Sequence, residues 1–481
     1  MRDISRRQFL ESAGAGALAA GVAGTCRSGH TRYSRPNIVI VLADDQRYDA
    51  LGCTGHPYAR TPHTDRLAAE GVLFTKALVT TPLCAPNRAC LFTGTFAHTH
   101  GNRNNGVVHY LPHEDTRPPM PVPCFPAILR DSGYATCLIG KWHAGERGYP
   151  DPGFEHFEPS SASYNDPPFW NGSEWVRHQG FLTDLVAERA ASWIRAHGDR
   201  PFFLIASHTA PHLPVVVPPR YKDLYAGEKP HRRPSENDDC SDKSRFIQGS
   251  RQWFAEMRDK DEPDPNSWPP PVTDEQHRDR MRLCKSLDDS VGTIRRALET
   301  AGKLEDTIFI YHSDNGFFLG EHGLSAKYYP YEEALRVPLI IRYPRAVEPG
   351  LRLDAPVYTL DIAPTLLEWA GLTPTCDMDG ESMVWLLERR GRAQWRETAL
   401  HEYFYHKGDP PPVIWLAVRG EGWKYIRFGR PFDEEMYDLE TDPYEIRNLA
   451  GLPEHSERLA RMRRLLDDLV RQTGADPIPL G

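Results

Sequence analysis

The sequence predicts an α/β protein, a large and mostly parallel sheet sandwiched by helices, with a smaller C-terminal α+β subdomain. Three observations carry this. Four short runs are apolar at consecutive positions, as strands buried on both faces require. Between them lie helical patterns, clearest in Leu287, Val291, Ile294 and Leu298, which fall at i, i+4, i+7 and i+11. Beyond Thr398 the texture changes to paired amphipathic strands and one last helix.

At 481 residues the chain exceeds what one hydrophobic core supports, so a large domain plus a smaller one is expected. Apolar residues make up 40% and charged residues 26%, an ordinary globular composition. The net charge of −9 is spread along the chain with no long basic block, which argues against a nucleic-acid partner. Forty-three prolines imply many fixed loops.

In chain order, residues 1–25 are set aside as an export signal. Ser5-Arg6-Arg7-Gln8-Phe9-Leu10 resembles the twin-arginine pattern, and the Ala/Gly stretch from Ala13 to Gly24 is too short and Gly-rich to span a membrane. A periplasmic or extracellular location without a transmembrane anchor is therefore expected. Thr25 suits a lipoprotein cleavage site poorly, so no lipid on Cys26 is expected. The nine cysteines contain no Cys-x-x-Cys pair, and most read as single buried residues.

The four apolar runs are Asn37–Ala43, Ala135–Ile139, Phe202–Ala206 and Thr307–Tyr311. Each is followed closely by polar groups able to do chemistry: Asp44-Asp45, Lys141-Trp142-His143, Ser207-His208 and Asp314-Asn315. In open α/β sheets ligands bind at that carboxyl edge, so one convergent site is expected. Residues 218–280, dense in Pro, Asp, Arg and Lys, read as an insertion near its mouth. The catalytic domain spans 36–397 and the C-terminal subdomain 398–481. In the latter, 415–419 and 423–428 form a hairpin, and Leu459, Met462, Leu466 and Leu469 space an amphipathic helix.

The sharpest signal is Cys84-Ala85-Pro86-Asn87-Arg88, followed by Thr93-Gly94. It resembles the signature of the type I sulfatases, Cys-x-Pro-x-Arg with a following Thr-Gly, in an alkaline-phosphatase-like superfamily. Likeness elsewhere runs from Pro36 to Ala450. The resemblance implies that Cys84 is oxidised to formylglycine by a formylglycine-generating enzyme, a partner in maturation. The family usually has serine at the position of Asn87, a departure that bears on maturation efficiency. The chemistry explains the modification. A hydrated aldehyde carries two hydroxyls on one carbon: one attacks sulfur and expels the alcohol, and the other, deprotonated, drives out sulfate and restores the aldehyde. Plain serine or cysteine would be left holding a covalent sulfate.

The acids Asp44, Asp45 and Asp314 with Asn315 offer oxygen only, which suits a hard cation. The resemblance implies Ca²⁺, with Mg²⁺ as the second choice, held by these residues and the modified Cys84. Asp314 is also placed to act as base for the attacking hydroxyl. Gly140-Lys141-Trp142-His143 matches the family's Gly-Lys-Trp-His, implying that Lys141 holds the hydrate and sulfate and His143 accepts a proton. Pro211-His212-Leu213-Pro214 matches Pro-His-x-Pro, implying that His212 contacts sulfate and protonates the leaving oxygen. The segment from Lys327 to Glu332 matches the family segment that brings a second lysine, implying that Lys327 binds sulfate, and Arg88 is expected to hold the modified residue.

Other patterns fall away. His208-Thr209-Ala210-Pro211-His212 has a zincin spacing without the glutamate, and Pro211 breaks the helix. His98 and His100 lack further ligands nearby in sequence. Gly320-Glu321-His322-Gly323 resembles a loop of glycan-directed sulfatases and points weakly to a sulfated sugar. The expected reaction is hydrolysis of a sulfate monoester, on a sulfated glycan in preference to an aryl sulfate. The rivals are a phosphonate monoester or phosphodiester hydrolase and an inactive binder of sulfated polymers.

Overall fold

The structure is a computed structural model, and it describes residues 35–105, 124–144, 153–258, 272–388, 395–404, 413–429 and 432–478. The export-signal reading of residues 1–25 and the reading of Cys26 lie outside these residues. The eight-stranded central sheet is built, in chain order, from β1 (Asn37–Ala43), β2 (Val72–Phe74), β3 (Ala135–Gly140), β4 (His156–Pro159), β5 (Phe202–Ser207), β6 (Thr307–Ser313), β7 (Leu339–Arg342) and β8 (Leu351–Leu353). Its spatial order is β8-β2-β7-β6-β1-β5-β3-β4. Only β7 runs against the rest, pairing antiparallel with β2 and β6, so the sheet is mostly parallel as expected.

Every residue of β1 is buried, which is why the run carries no polar alternation. Ile38, Ile40 and Leu42 face one layer with α1 (Cys84–Thr93), α2 (Phe125–Asp131) and, later in the chain, Ile362–Trp369. Val39, Val41 and Ala43 face the other, packed on α3 (Leu182–Ala196) and on Leu287, Val291, Ile294 and Leu298 of the long helix Asp274–Thr300.

The described residues of the 218–280 segment, 218–258 and 272–280, carry helices that an insertion loop does not suggest. They contain α4 (Arg245–Arg258), and their last residues belong to α5 (Asp274–Thr300), started by Thr273, whose hydroxyl caps the Gln276 amide. Arg233 in this segment pairs with Asp49, 2.5 Å away, and with Glu333 at 3.0 Å. The segment therefore packs against the loop that follows β1.

The C-terminal sheet is β9 (Thr398–Tyr403), β10 (Trp415–Gly420), β11 (Trp423–Phe428) and β12 (Asp433–Asp438), antiparallel in sequence order. Glu421 and Gly422 turn the β10–β11 hairpin with φ of 55° and 80°, the left-handed pair that a two-residue turn needs. Leu459, Met462, Leu466 and Val470 of the helix Ser456–Thr473 pack on this sheet, and Leu469 is only partly buried. Among the described residues no helix is long and apolar enough to cross a membrane.

Candidate active site

Strand register brings the polar residues to one level. Ala43 pairs with Ser313, Leu42 with Ser207, and Ser207 with Gly140, so the loops after β1, β6, β5 and β3 start side by side. Gly140 has φ 103°, and a Cβ there would lie 2.0 Å from the Ser207 carbonyl oxygen, so only glycine lets the chain turn into Lys141.

Cys84 is the first residue of α1, fully buried, with the electropositive end of the helix around it. Pro86 sits in the first turn, where a missing N–H costs nothing. The Ala85 amide is capped by Asn105 Oδ1 at 3.1 Å. The helix stops at Gly94, whose left-handed φ of 68° closes the last turn. The Cys84 thiol faces Asp44 and Lys327. Its Sγ is 3.3 Å from Asp44 Oδ1 and 2.7 Å from Lys327 Nζ. Burial, with Asp44 beside it, pushes the thiol well above its ordinary pKa, so the sulfur is not a ready thiolate.

Around it the predicted residues converge. Arg88, one turn along α1, donates to Asp314 Oδ2 at 2.7 Å, to Ser207 Oγ at 2.8 Å and to the Lys141 carbonyl at 3.0 Å. Lys141 pairs with Asp44, and Lys327 with Asp45 at 2.6 Å. Asn315 Nδ2 donates to Asp45 Oδ1 at 2.6 Å, and the Asp45 amide to Asp314 Oδ1 at 3.2 Å. His212 Nε2 lies 3.7 Å from Asp45 Oδ2. His143, half-buried and with φ 49°, feels the charges of Lys141, Arg88, Lys327 and His212.

The electrostatics follow from this crowding. Burial alone would raise the Asp45 carboxyl, but Lys327, His212 and Arg280 outweigh it and hold it ionised. Asp314 goes the other way: burial and neighbouring Asp44 raise it against Arg88 and Lys141. Burial works against the Lys327 ammonium, but Asp45, with Cys84 and Asp44 close by, outweighs it and keeps Lys327 protonated. Burial lowers His212 to about 3 and, with Lys141, takes His143 well down, so both imidazoles are neutral.

A hard divalent cation fits this donor set. Ligand atoms of Asp44, Asp45, Cys84 and His212 lie within 4.8 Å of one another; His212 was not expected in this group, while the Asp314 carboxylate accepts from Arg88 and the Asp45 amide. Asp45 Oδ2 and Asn315 Oδ1 are buried with no hydrogen-bond partner, a costly state that a cation would relieve.

Ser207, expected at the carboxyl edge of an apolar run but given no role, accepts from Arg88. Several further contributors were not foreseen. Arg280, in an arginine-rich stretch with no motif, donates to the Asp45 carbonyl at 2.7 Å and lies 3.9 Å over the Phe317 ring. Tyr164 donates to the His212 carbonyl at 2.8 Å. The C-terminal subdomain also reaches in: Trp415 Nε1 donates to the Tyr328 carbonyl at 2.8 Å, next to Lys327. His98 bonds instead to Glu402 at 2.7 Å and the Thr473 carbonyl at 3.0 Å.

Residues 36–372 match the family model described as sulfatase, and residues 320–472 the one described as N-sulphoglucosamine sulphohydrolase, C-terminal. The chain is similar to an N-acetylglucosamine-6-O-sulfatase of Bacteroides thetaiotaomicron, 28% identical over 91% of this chain and 87% of that protein. It is 31% identical to an N-acetylglucosamine-6-sulfatase of Capra hircus over 89% of this chain and 82% of that one. A solved structure of a protein in complex with its substrate D-glucosamine-2-N,6-O-disulfate superposes with a TM-score of 0.81 at 28% identity, covering 93% of this chain and all of that one. A phosphonate monoester hydrolase of Agrobacterium radiobacter shares the fold, with a TM-score of 0.73 at 23% identity over 91% of this chain and 96% of that one. With a family model matching residues 36–372, more than half of the sequence, the chain belongs to the sulfatase family of sulfuric ester hydrolases.

Proposed function

We propose that this sulfatase removes a sulfate ester from a glycan, with 6-O-sulfated glucosamine as the substrate class, by way of a formylglycine made from Cys84. One observation carries the reading: Cys84 Sγ touches both an acid of the oxygen cluster, Asp44, and the ammonium of Lys327. A nucleophile placed between a cation-binding carboxylate and an anion-binding lysine suits attack on a sulfate ester. The names of two relatives and the disulfated sugar in the similar complex support the sugar.

Asp44, Asp45, Asp314 and Asn315 would hold the cation, Ca²⁺ in preference to Mg²⁺, which when bound supplies a Lewis acid beside the residue-84 oxygen and offsets sulfate charge. Arg88 and Lys141 orient that oxygen, and Lys141 and Lys327 hold the sulfate oxygens. Asp314, its carboxyl raised by burial and Asp44, accepts the proton of the attacking hydroxyl. Neutral His143 takes the proton from the second hydroxyl. His212 is neutral in the free protein, but a sulfate anion beside it favours the imidazolium, the form that protonates the leaving alcohol.

Paired assays on glucosamine 6-sulfate, a phosphonate monoester and a phosphodiester test the reading. The expected result is a preference for the sulfate ester in kcat/KM. A preference for phosphorus would move the chain to the phosphonate hydrolase reading. No turnover by fully modified, cation-loaded protein on any sulfated sugar would support the inactive binder.

A further inference from the structure

We propose that Asn87 is a positioning residue of the cation site, fixing the main chain of Asp314 to the helix that carries the nucleophile. The proposal rests on the reading of Asp314 as a cation ligand. Asn87 is fully buried on α1, and its Nδ2 lies 2.5 Å from the Asp314 carbonyl oxygen and 3.2 Å from Thr359 Oγ1. A carbonyl can only accept, so Asn87 must present its NH₂ group here. That group has two hydrogens and two acceptors in reach. Thr359, accepting from Asn87, keeps its own hydroxyl hydrogen for His312 Nε2 at 3.0 Å. His312 Nδ1–H in turn donates to the Pro338 carbonyl at 2.9 Å. The polarity is consistent from end to end, running from α1 to the entry of β7.

The consequence is a double grip on Asp314. Arg88 takes its carboxylate at 2.7 Å and Asn87 takes its carbonyl, both from the same helix. From the other side the Asp314 amide donates to the Ala43 carbonyl at 3.2 Å, at the end of β1. The peptide that carries the ligand is therefore clamped between the strand leading to Asp44 and the helix starting at Cys84. Serine, the usual residue here, offers one donor on a shorter side chain, so it serves one of the two acceptors. Aspartate at this position offers none and sets a negative charge against a carbonyl oxygen.

The test uses the full chain, co-expressed with a formylglycine-generating enzyme, as wild type, Asn87→Ser and Asn87→Asp. Peptide mass spectrometry first gives the formylglycine content of each. Calorimetry with Ca²⁺ alone then gives the affinity of the fully converted protein, without turnover. Loss of a hydrogen bond that orients a ligand is expected to weaken Ca²⁺ binding by about 10–100-fold in Asn87→Ser, and further in Asn87→Asp. An Asn87→Ser protein whose Ca²⁺ affinity stays within twofold of wild type overturns the proposal, even if its unfolding temperature or its conversion falls. A converted wild type that turns over sulfate ester but takes up no Ca²⁺ overturns the cation reading itself, and the proposal with it.

Discussion

Lys424→Met probes how the C-terminal subdomain holds the segment proposed to bind sulfate. Lys424 lies in β11 with a fully buried side chain, 2.9 Å from Glu332, 2.7 Å from Glu445 and 3.2 Å from the Pro330 carbonyl. Methionine fills the space without the charge. Glu332 keeps Arg419 at 3.4 Å and Arg336 at 3.5 Å, whereas the Glu445 carboxylate keeps, among the described residues, the Glu332 amide at 2.8 Å. Removing one partner of a buried ion pair costs about 3–5 kcal/mol.

The pH dependence makes the prediction specific. Burial already pushes Glu445 up from 4.5 to about 7, with Lys424 restraining it and Glu332 and Glu333 adding to it. A carboxyl raised in the folded state binds more protons there than in the unfolded chain, so stability falls as pH rises between the two values. In the wild type that loss ends near pH 7. Without Lys424 the folded-state value climbs, and the loss continues at about 1.4 kcal/mol per pH unit. The gap between the two proteins should therefore be constant from pH 5 to 6 and widen by about 2 kcal/mol between pH 7 and 8.5. Unfolding midpoints of both proteins across this range measure it. A gap that stays flat or narrows above pH 7 would refute the reasoning. Because the Pro330 carbonyl is three residues from Lys327, kcat/KM should also fall at equal formylglycine content.

Other perturbations test other parts. Ca²⁺ at about 100 times its Kd should stabilise the protein by about 2.7 kcal/mol, seen as a higher unfolding temperature that a chelator reverses; Asp45→Asn should lose most of that shift. His212→Ala should slow turnover of a sugar sulfate by about 10²-fold, yet affect a nitrophenyl sulfate little, since a good leaving group needs no proton; equal loss on both would remove the acid role. Leu466→Ala, at a fully buried contact with the C-terminal sheet, should cost about 2–5 kcal/mol by denaturant titration.

What the sequence reveals and what it hides follow from the same physics. The runs at β1, β3, β5 and β6 are legible because strands buried on both faces leave no polar residue to blur them. The three-residue strands Val72–Phe74 and Leu351–Leu353 are too short to carry a pattern. The start of α5 was written in Thr273-Asp274-Glu275-Gln276, a capping signature, but the prolines at 269–271 disguised it as loop. Candidate site residues that sit in a local motif, such as Cys84, Arg88 and Lys141, can be proposed from sequence, and the fold brings them together. Arg280 and Trp415 cannot, because they act on the site through main-chain carbonyls of distant segments, a contact that only the folded chain creates.

The most direct test of the central claim is mass spectrometry of the tryptic peptide from Ala77 to Arg88, taken from protein purified from its own host. Cleavage after Lys76 and Arg88 leaves Cys84 inside a single peptide. Formylglycine there means that residue 84 has lost its sulfur and two hydrogens and gained one oxygen, with an aldehyde that reacts with hydrazine reagents. The account predicts that mass and that reactivity in active protein. An intact Cys84 thiol throughout an active preparation would contradict it.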